Sequence, residues 1–322
     1  MPSFSLPYQP IRTSLYSAAE LFGEFDPQAA ASFAQTVDFQ TYRDFVRSGG
    51  SRSQDFLHTM LQSLHDHSIS QSIRTLLKGR ACCAIMGGHK ISRKHASYQR
   101  VAELSRLLTS HGLLVATGGG PGAMEAGHFG AALATHSAKE MRAALQELRK
   151  QPDLPESLKH ILRPDGSADP QVVKEAHAWF APAWEIRQGL TSPGESLAVP
   201  TWHYGHEPTS PFATHIGKYF QNSIREEGLL AIAQQGIVYT EGKAGTIQEI
   251  FQDAAQNYYE SFDYFSPMVF LGVAYWTKTY PLIPVLRKLF GPERTRRFVR
   301  VTDDVSEAAE FLIAFRPPVR ER

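Results

Sequence analysis

Cysteine is nearly missing from this chain. Two occur in 322 residues, Cys82 and Cys83, side by side in an apolar run. Neighbours on a strand point to opposite faces, so the two are poor disulfide partners. Reduced core thiols argue against a disulfide-stapled secreted scaffold and suit a cytoplasmic protein. An excess of either charge is missing too. The 33 basic and 32 acidic side chains leave a net charge of +1, with no basic surface for a polyanion and no acidic tail. No nucleic-acid partner is expected. No apolar run approaches the length of a bilayer span. The opening Met1-Pro-Ser-Phe-Ser-Leu-Pro7 has neither the basic stretch nor the apolar core of a signal peptide. The expectation is a cytoplasmic protein with no membrane partner. What the chain does have is 42% hydrophobic residues, enough to bury a sizeable core in one large α/β domain or in a core domain with an appendage.

The organising stretch is Thr117-Gly-Gly-Gly-Pro-Gly-Ala-Met-Glu-Ala126. Before it, Gly112-Leu-Leu-Val-Ala-Thr117 is short and apolar like a buried strand; after it, Ala123 to Ala134 reads as helix. A strand that turns through glycines into a helix presents unpaired N–H groups at the positive end of the helix dipole, where a phosphate is well held. Glycine lets the anion approach and tolerates positive φ. The alternative is a tight turn with no ligand. A second strand–glycine–helix junction follows at Gly236-Ile-Val-Tyr-Thr240, Glu241-Gly-Lys-Ala-Gly-Thr246 and a helix from about Thr246 to Tyr258. Both junctions fall at carboxyl ends of expected parallel strands, where open α/β sheets bind ligands. Neither the G-x-G-x-x-G dinucleotide pattern nor a Walker loop is present, so a mononucleotide is the more economical ligand.

In chain order, residues 1–75 read as a helical extension, with a capping box at Ser17-Ala-Ala-Glu20 and amphipathic stretches at Phe39–Phe45 and Phe56–Leu64. The core, residues 76–322, opens with a strand at Ala81–Met86 that ends in Gly87-Gly-His89, then a helix over Ala96–Ser110. Residues 135–195 form a helical insertion, from Ser137 to Lys150 and from Asp169-Pro170 to about Leu190. A strand at Ser196–Pro200, a helix over Thr214–Gln234, strands at Pro267–Gly272 and Phe298–Val301, and helices at Pro281–Phe290 and Asp304–Phe315 complete the pattern, with a frayed Arg316-Pro-Pro tail. Alternating strands and helices with short turns predict a doubly wound, mainly parallel sheet with right-handed crossovers.

Several residues have two readings. Glu249 lies in Thr246-Ile-Gln-Glu249, the spacing of a capping box, or is catalytic. Arg225, on an amphipathic helix, is a solvated residue or a ligand cation; Glu125 is a first-turn carboxylate or part of a ribose site. His203, His206 and Glu207 invite a metal, yet Gly205 and Pro208 oppose the helix that H-E-x-x-H geometry needs, so a loop near the ligand is preferred and no metal is assigned. Trp202, Tyr204, Tyr258 and Tyr259 are candidates for a wall against the base, and equally for core or interface.

Gly118-Gly-Gly-Pro-Gly-Ala-Met-Glu125, together with Arg225 and then Gly242-x-x-Gly-Thr-x-x-Glu249, resembles the Lonely Guy family, often labelled lysine decarboxylase-like. The first motif is most similar to that of its larger nucleotide 5′-monophosphate nucleosidases. The resemblance covers about residues 80–134 and 196–302. It implies a Rossmann-like fold and hydrolysis of the N-glycosidic bond of a nucleoside monophosphate, with no cofactor and at least a homodimer. It implies Arg225 and Glu249 as the catalytic pair. It assigns phosphate and nucleotide binding to Gly87, Gly118, Gly119, Gly120, Gly122, Ala123, Met124, Glu125, Asn222, Gly242, Lys243, Ala244, Gly245 and Thr246. Three departures stand out. Glu241-Gly242-Lys243 replaces the family's Pro-Gly-Gly, Glu226 follows Arg225 where lysine is usual, and the arginine-to-motif spacing is about one residue long. The first of these supports a rival reading, a non-catalytic nucleotide-binding or carrier protein. A nicotinamide dehydrogenase would need an acidic residue after a second strand and a proton-transfer pair, and neither is evident.

Overall fold

Short apolar runs become the central strands of a parallel sheet because each can bury both faces under helices. In the computed structural model, which describes residues 6–317, the chain runs α1 (Ala18–Phe22), α2 (Val37–Arg47), α3 (Phe56–Leu76), β1 (Cys82–Met86), α4 (Ala96–Ser110), β2 (Leu114–Thr117), α5 (Ala123–Ala132), α6 (Ala138–Leu148) and α7 (Pro170–Gly189). It continues through β3 (Ser196–Ala198), β4 (His215–Ile216), α8 (Asn222–Ile232), β5 (Ile237–Tyr239), α9 (Ala244–Tyr258), β6 (Met268–Leu271), α10 (Ile283–Phe290), α11 (Pro292–Phe298), β7 (Val299–Thr302) and α12 (Val305–Ala314). All strand pairs are parallel, in the order β4-β3-β2-β1-β5-β6-β7. The order reverses between β1 and β5, which sets the crevice of a doubly wound, Rossmann-like sheet at their carboxyl ends.

Strand alternation splits the core in two. Cys82, Ala84 and Met86 face a cluster with helices α1–α3 and α7–α10, while Cys83 and Ile85 face one with α4, α5, α6 and α12. The adjacent cysteines are thus buried, free and on opposite faces. Helices α4 and α5 approach so closely that a Cβ on Gly130 would lie 2.0 Å from the Ala102 carbonyl oxygen.

The N-terminal helices begin where their caps place them: Ser17, Thr36 and Asp55 each accept an N–H of the first turn. At Ser17 only this half of the expected capping box forms. Phe22, Phe39 and Phe45 join the same apolar cluster as the sheet, so the N-terminal section and the core share one interior. In the insertion, Ser137 and Glu140 form a full capping box, and Asp169 caps α7 with Pro170 at its first position.

Two expectations need correcting. Residues 214–234 are not one helix. His215–Ile216 is the edge strand β4, and its outer side is closed by Tyr16, which exchanges two 2.9 Å backbone bonds with Ile216. Here Gly217 lets α3 pass, since its Cβ would lie 2.8 Å from the Ile73 side chain. Helix α9 starts at Ala244 rather than Thr246, with Lys243 as its cap residue. Thr246 is therefore inside the first turn, and the capping-box reading of Glu249 fails. A π-helical turn at Tyr275–Thr279 and helix α11 were not anticipated. Met1–Ser5 and the part of the C-terminal tail from residue 318 onward lie outside the described residues. Among the described residues, no helix is long and apolar enough to cross a membrane.

Candidate functional site

Three strand ends meet at the crevice, one more than the two glycine junctions foreseen. The turn after β1 is wedged between them. Gly88 donates its N–H to the Glu241 carbonyl (2.8 Å) and accepts the Ala123 N–H on its own carbonyl (3.1 Å). A Cβ on Gly87 would lie 2.3 Å from Thr240 Cγ2 and 2.7 Å from Ala123 Cβ. Gly122 has φ +68°, and a Cβ there would lie 2.4 Å from the Gly88 carbonyl oxygen. Glycine at 87 and 122 is thus what lets the corners close on one another. At the second junction, the buried Thr246 hydroxyl occupies the space a Gly242 side chain would need, at 2.2 Å. Lys243, Ala244 and Gly245 are exposed at the start of α9.

Helix α8 brings Arg225 to the first junction. Its Nε donates to the Val199 carbonyl (2.7 Å) and its Nη2 to the Gly118 carbonyl (3.2 Å). A Cβ on Gly118 would sit 2.1 Å from that Nη2 and 2.7 Å from Met124 Sδ, so the guanidinium and Met124 fill the space beneath the loop. Asn222, at the start of α8, donates to Glu226 Oε1 (2.8 Å), while its own Oδ1 is buried with no partner among the described residues.

Glu249, on the first turns of α9, faces this cation. Desolvation lifts its carboxyl pKa from 4.5 to about 7; Arg225 pulls it down and Glu226 pushes it up. The side chain is half-buried, and among the described residues its carboxylate has no hydrogen-bond partner. One turn on, burial lifts Asp253 to about 7 as well, but that carboxyl is occupied by the Tyr239 hydroxyl (2.7 Å) and Asn257 (3.2 Å).

Two acidic residues do not join the site. Glu125 is buried against Arg93, whose Nη2 and Nε reach its two oxygens at 2.6 and 2.8 Å, with the Tyr98 hydroxyl at 2.9 Å. Arg93 goes on to the Gln151 and Trp179 carbonyls, so Glu125 ties the insertion to the core instead of lining a ribose site. Glu241 turns toward α4, accepting from the Ser97 hydroxyl (2.6 Å), with Arg100 Nη2 at 3.7 Å. The carboxylate that departs from the family pattern is held to one side of the junction.

Residues 199–210 cover the first loop. The Ser210 N–H bonds the Gly119 carbonyl (2.8 Å), and Glu207 reaches Gly120 while its Oε1 lies 3.8 Å from His89 Nδ1. His203 instead meets Ser51 (2.9 Å), and among the described residues no three His, Cys, Asp or Glu side chains are placed to hold a metal. Trp202 is core: fully buried, bonded through Nε1 to Asp38 and packed on Phe220. Tyr204, Tyr258 and Tyr259 are exposed. The hydroxyls of Ser210 and Thr240 are buried at the glycine corners and, among the described residues, have no partner. Orphaned buried hydroxyls are costly, so they mark where a polar ligand would be welcome. Gly88 could have been suspected from its neighbour Gly87; nothing in the sequence singled out Ser210 or Thr240. A separate cavity of about 530 Å³, lined by Arg80, Thr109, Thr135 and Glu195, lies at the opposite, amino-terminal edge of the sheet. Set against known proteins, the chain matches no protein-family model and no curated sequence.

Proposed function

We propose that this protein hydrolyses the N-glycosidic bond of nucleoside 5′-monophosphates, giving a free base and ribose 5-phosphate. The observation that carries the reading is Glu249, its carboxyl raised to about 7 and without a hydrogen-bond partner among the described residues, in the field of an Arg225 fixed on the glycine corner. A base poised near neutrality is what proton abstraction from water at physiological pH asks for. The phosphate would sit against the N-termini of α5 and α9, with Thr246 and the backbone of the glycine turns as donors. As the C1′–N bond breaks, its electron pair leaves with the base, which takes up a proton from solvent; the proton Glu249 takes from water returns to solvent and closes the balance. The ribosyl centre becomes cationic, and the Glu249 carboxylate stabilises it. Glu249 accepts the proton of the water whose oxygen bonds to C1′. Arg225 holds the phosphate or a ribose hydroxyl. The residue types require only water as co-reactant. The same reading carries a cytoplasmic location and a homodimer or higher homo-oligomer, the latter checked by sedimentation.

The test is chromatographic release of base from a panel of nucleoside monophosphates. Glu249→Gln retains nucleotide binding and loses on the order of 10² to 10⁴ in rate; unchanged turnover rejects the assignment. The second reading, nucleotide binding without turnover, draws on Glu241 and Lys243 at the second junction. Binding by the wild-type chain with no base release from any nucleotide decides for it.

A further inference from the structure

The helix that carries Arg225 lacks a cap of its own. Gln221 precedes α8, and among the described residues its side chain accepts no N–H of the first turn; its Nε2 donates only to Ser223 Oγ, at 3.4 Å. The residues that lead into it are held instead from the N-terminal section, more than 150 residues away. Asp66 of α3 takes the Phe220 N–H on Oδ1 (2.9 Å) and the Gln221 N–H on Oδ2 (2.8 Å), and it is itself only 2% exposed. The Gln221 carbonyl in turn accepts the Arg225 N–H, one turn along. The residues just before are held from the same side. Lys218 Nζ meets Asp38 Oδ1 at 2.6 Å, and the Tyr219 hydroxyl meets Ser70 Oγ at 3.1 Å. Asp66 is oriented by His65 (3.2 Å), whose other ring nitrogen meets the Tyr16 hydroxyl (2.8 Å).

We propose that Asp66 is a positioning residue for Arg225, and that the N-terminal section serves the site as the frame that fixes residues 218–221. Two N–H bonds to the two oxygens of one buried carboxyl, just ahead of a helix N-terminus, are geometrically strict. A shift of Gln221 displaces Arg225 along the same turn and pulls Nε and Nη2 off the Val199 and Gly118 carbonyls. The inference rests on the proposed reading for what Arg225 does, but the placement of Arg225 can be read without any reaction.

The direct readout is the Arg225 Nε–H signal in protein labelled at arginine Nε, assigned by its loss in Arg225→Lys. In the wild type the bond to Val199 protects this proton. Asp66→Asn keeps one acceptor and sets an amide donor against the other N–H. The expected result is at least tenfold faster exchange of the Arg225 Nε–H and of the 220 and 221 amides, with distant core amides unchanged. Asp66→Glu, which keeps the buried charge and moves it by one methylene, gives the same reading if the amide variant does not fold. Wild-type exchange at Arg225 in the variants overturns the proposal. In turnover, Asp66→Asn should lower kcat at least tenfold alone and add no loss in Arg225→Ala; an equal loss in both backgrounds also overturns it. If the wild type releases no base at all, the hydrolase reading falls and the exchange result still decides the role of Asp66.

Discussion

A carboxyl with no hydrogen-bond partner among the described residues, half-buried beside an arginine, is the residue on which the proposed chemistry turns. Glu249 must be ionised to accept a proton, so kcat/KM should rise with pH through about 7 and level off above it. The residual activity of Glu249→Gln should lack that limb, and a pH profile that is flat between 5 and 8 in the wild type would contradict the role. Asp253, raised from 3.8 to about 7, has a consequence for stability instead. Its folded form keeps a proton that the unfolded chain has already released. Stability is therefore lost as pH rises between the two values, and the loss is complete above the higher one. Asp253→Asn should accordingly gain on the wild type in urea unfolding as pH goes from 4 to 8. The opposite trend would mean that Tyr239 stabilises the ionised form more than burial penalises it.

At the scale of elements, glycines with different neighbours predict different failures. A side chain on Gly118 meets the ends of two flexible side chains, Arg225 and Met124. Gly118→Ala should thus fold, with a melting temperature near that of the wild type, and lose turnover because the guanidinium is pushed aside. A side chain on Gly130 meets the backbone of α4. Gly130→Ala should destabilise by about 1–3 kcal/mol, as overpacking of a close helix contact does. Calorimetry with a parallel activity assay separates the two, and a large melting loss in Gly118→Ala would contradict the placement of Arg225. Helix α4 and the strands β1, β2, β5, β6 and β7 could be read from the sequence because their apolar runs and periodicities are local. The two-residue strand β4 could not, since it exists only through its pairing with β3 and Tyr16. The start of α9 differs from the expected one because Thr246 looks like a cap, whereas it lies inside the first turn with its hydroxyl beside Gly242. Gly118, Gly242 and Arg225 were legible from motif spacing. The withdrawal of Glu125 was not, because Arg93 and the insertion close over it from distant parts of the chain.

For the whole molecule, the N-terminal section and the sheet are joined by buried charge as well as by apolar surface. Lys218 and Asp38 are both buried, and Asp38 also accepts from Trp202. Lys218→Met leaves the buried Asp38 without its cation and should cost roughly 3–5 kcal/mol. Replacing Asp38 by leucine in the same chain should recover much of that in denaturant unfolding; no recovery would show that the pair does more than neutralise itself. The largest claim is where a nucleotide goes. It is tested most directly by the structure of Glu249→Gln with a nucleoside 5′-monophosphate bound. The account predicts the phosphate against the glycine turns at 118–122 and 242–246, with C1′ facing residue 249. Nucleotide found in the cavity between Arg80 and Glu195 at the other edge of the sheet, or with its ribose turned away from residue 249, would contradict it.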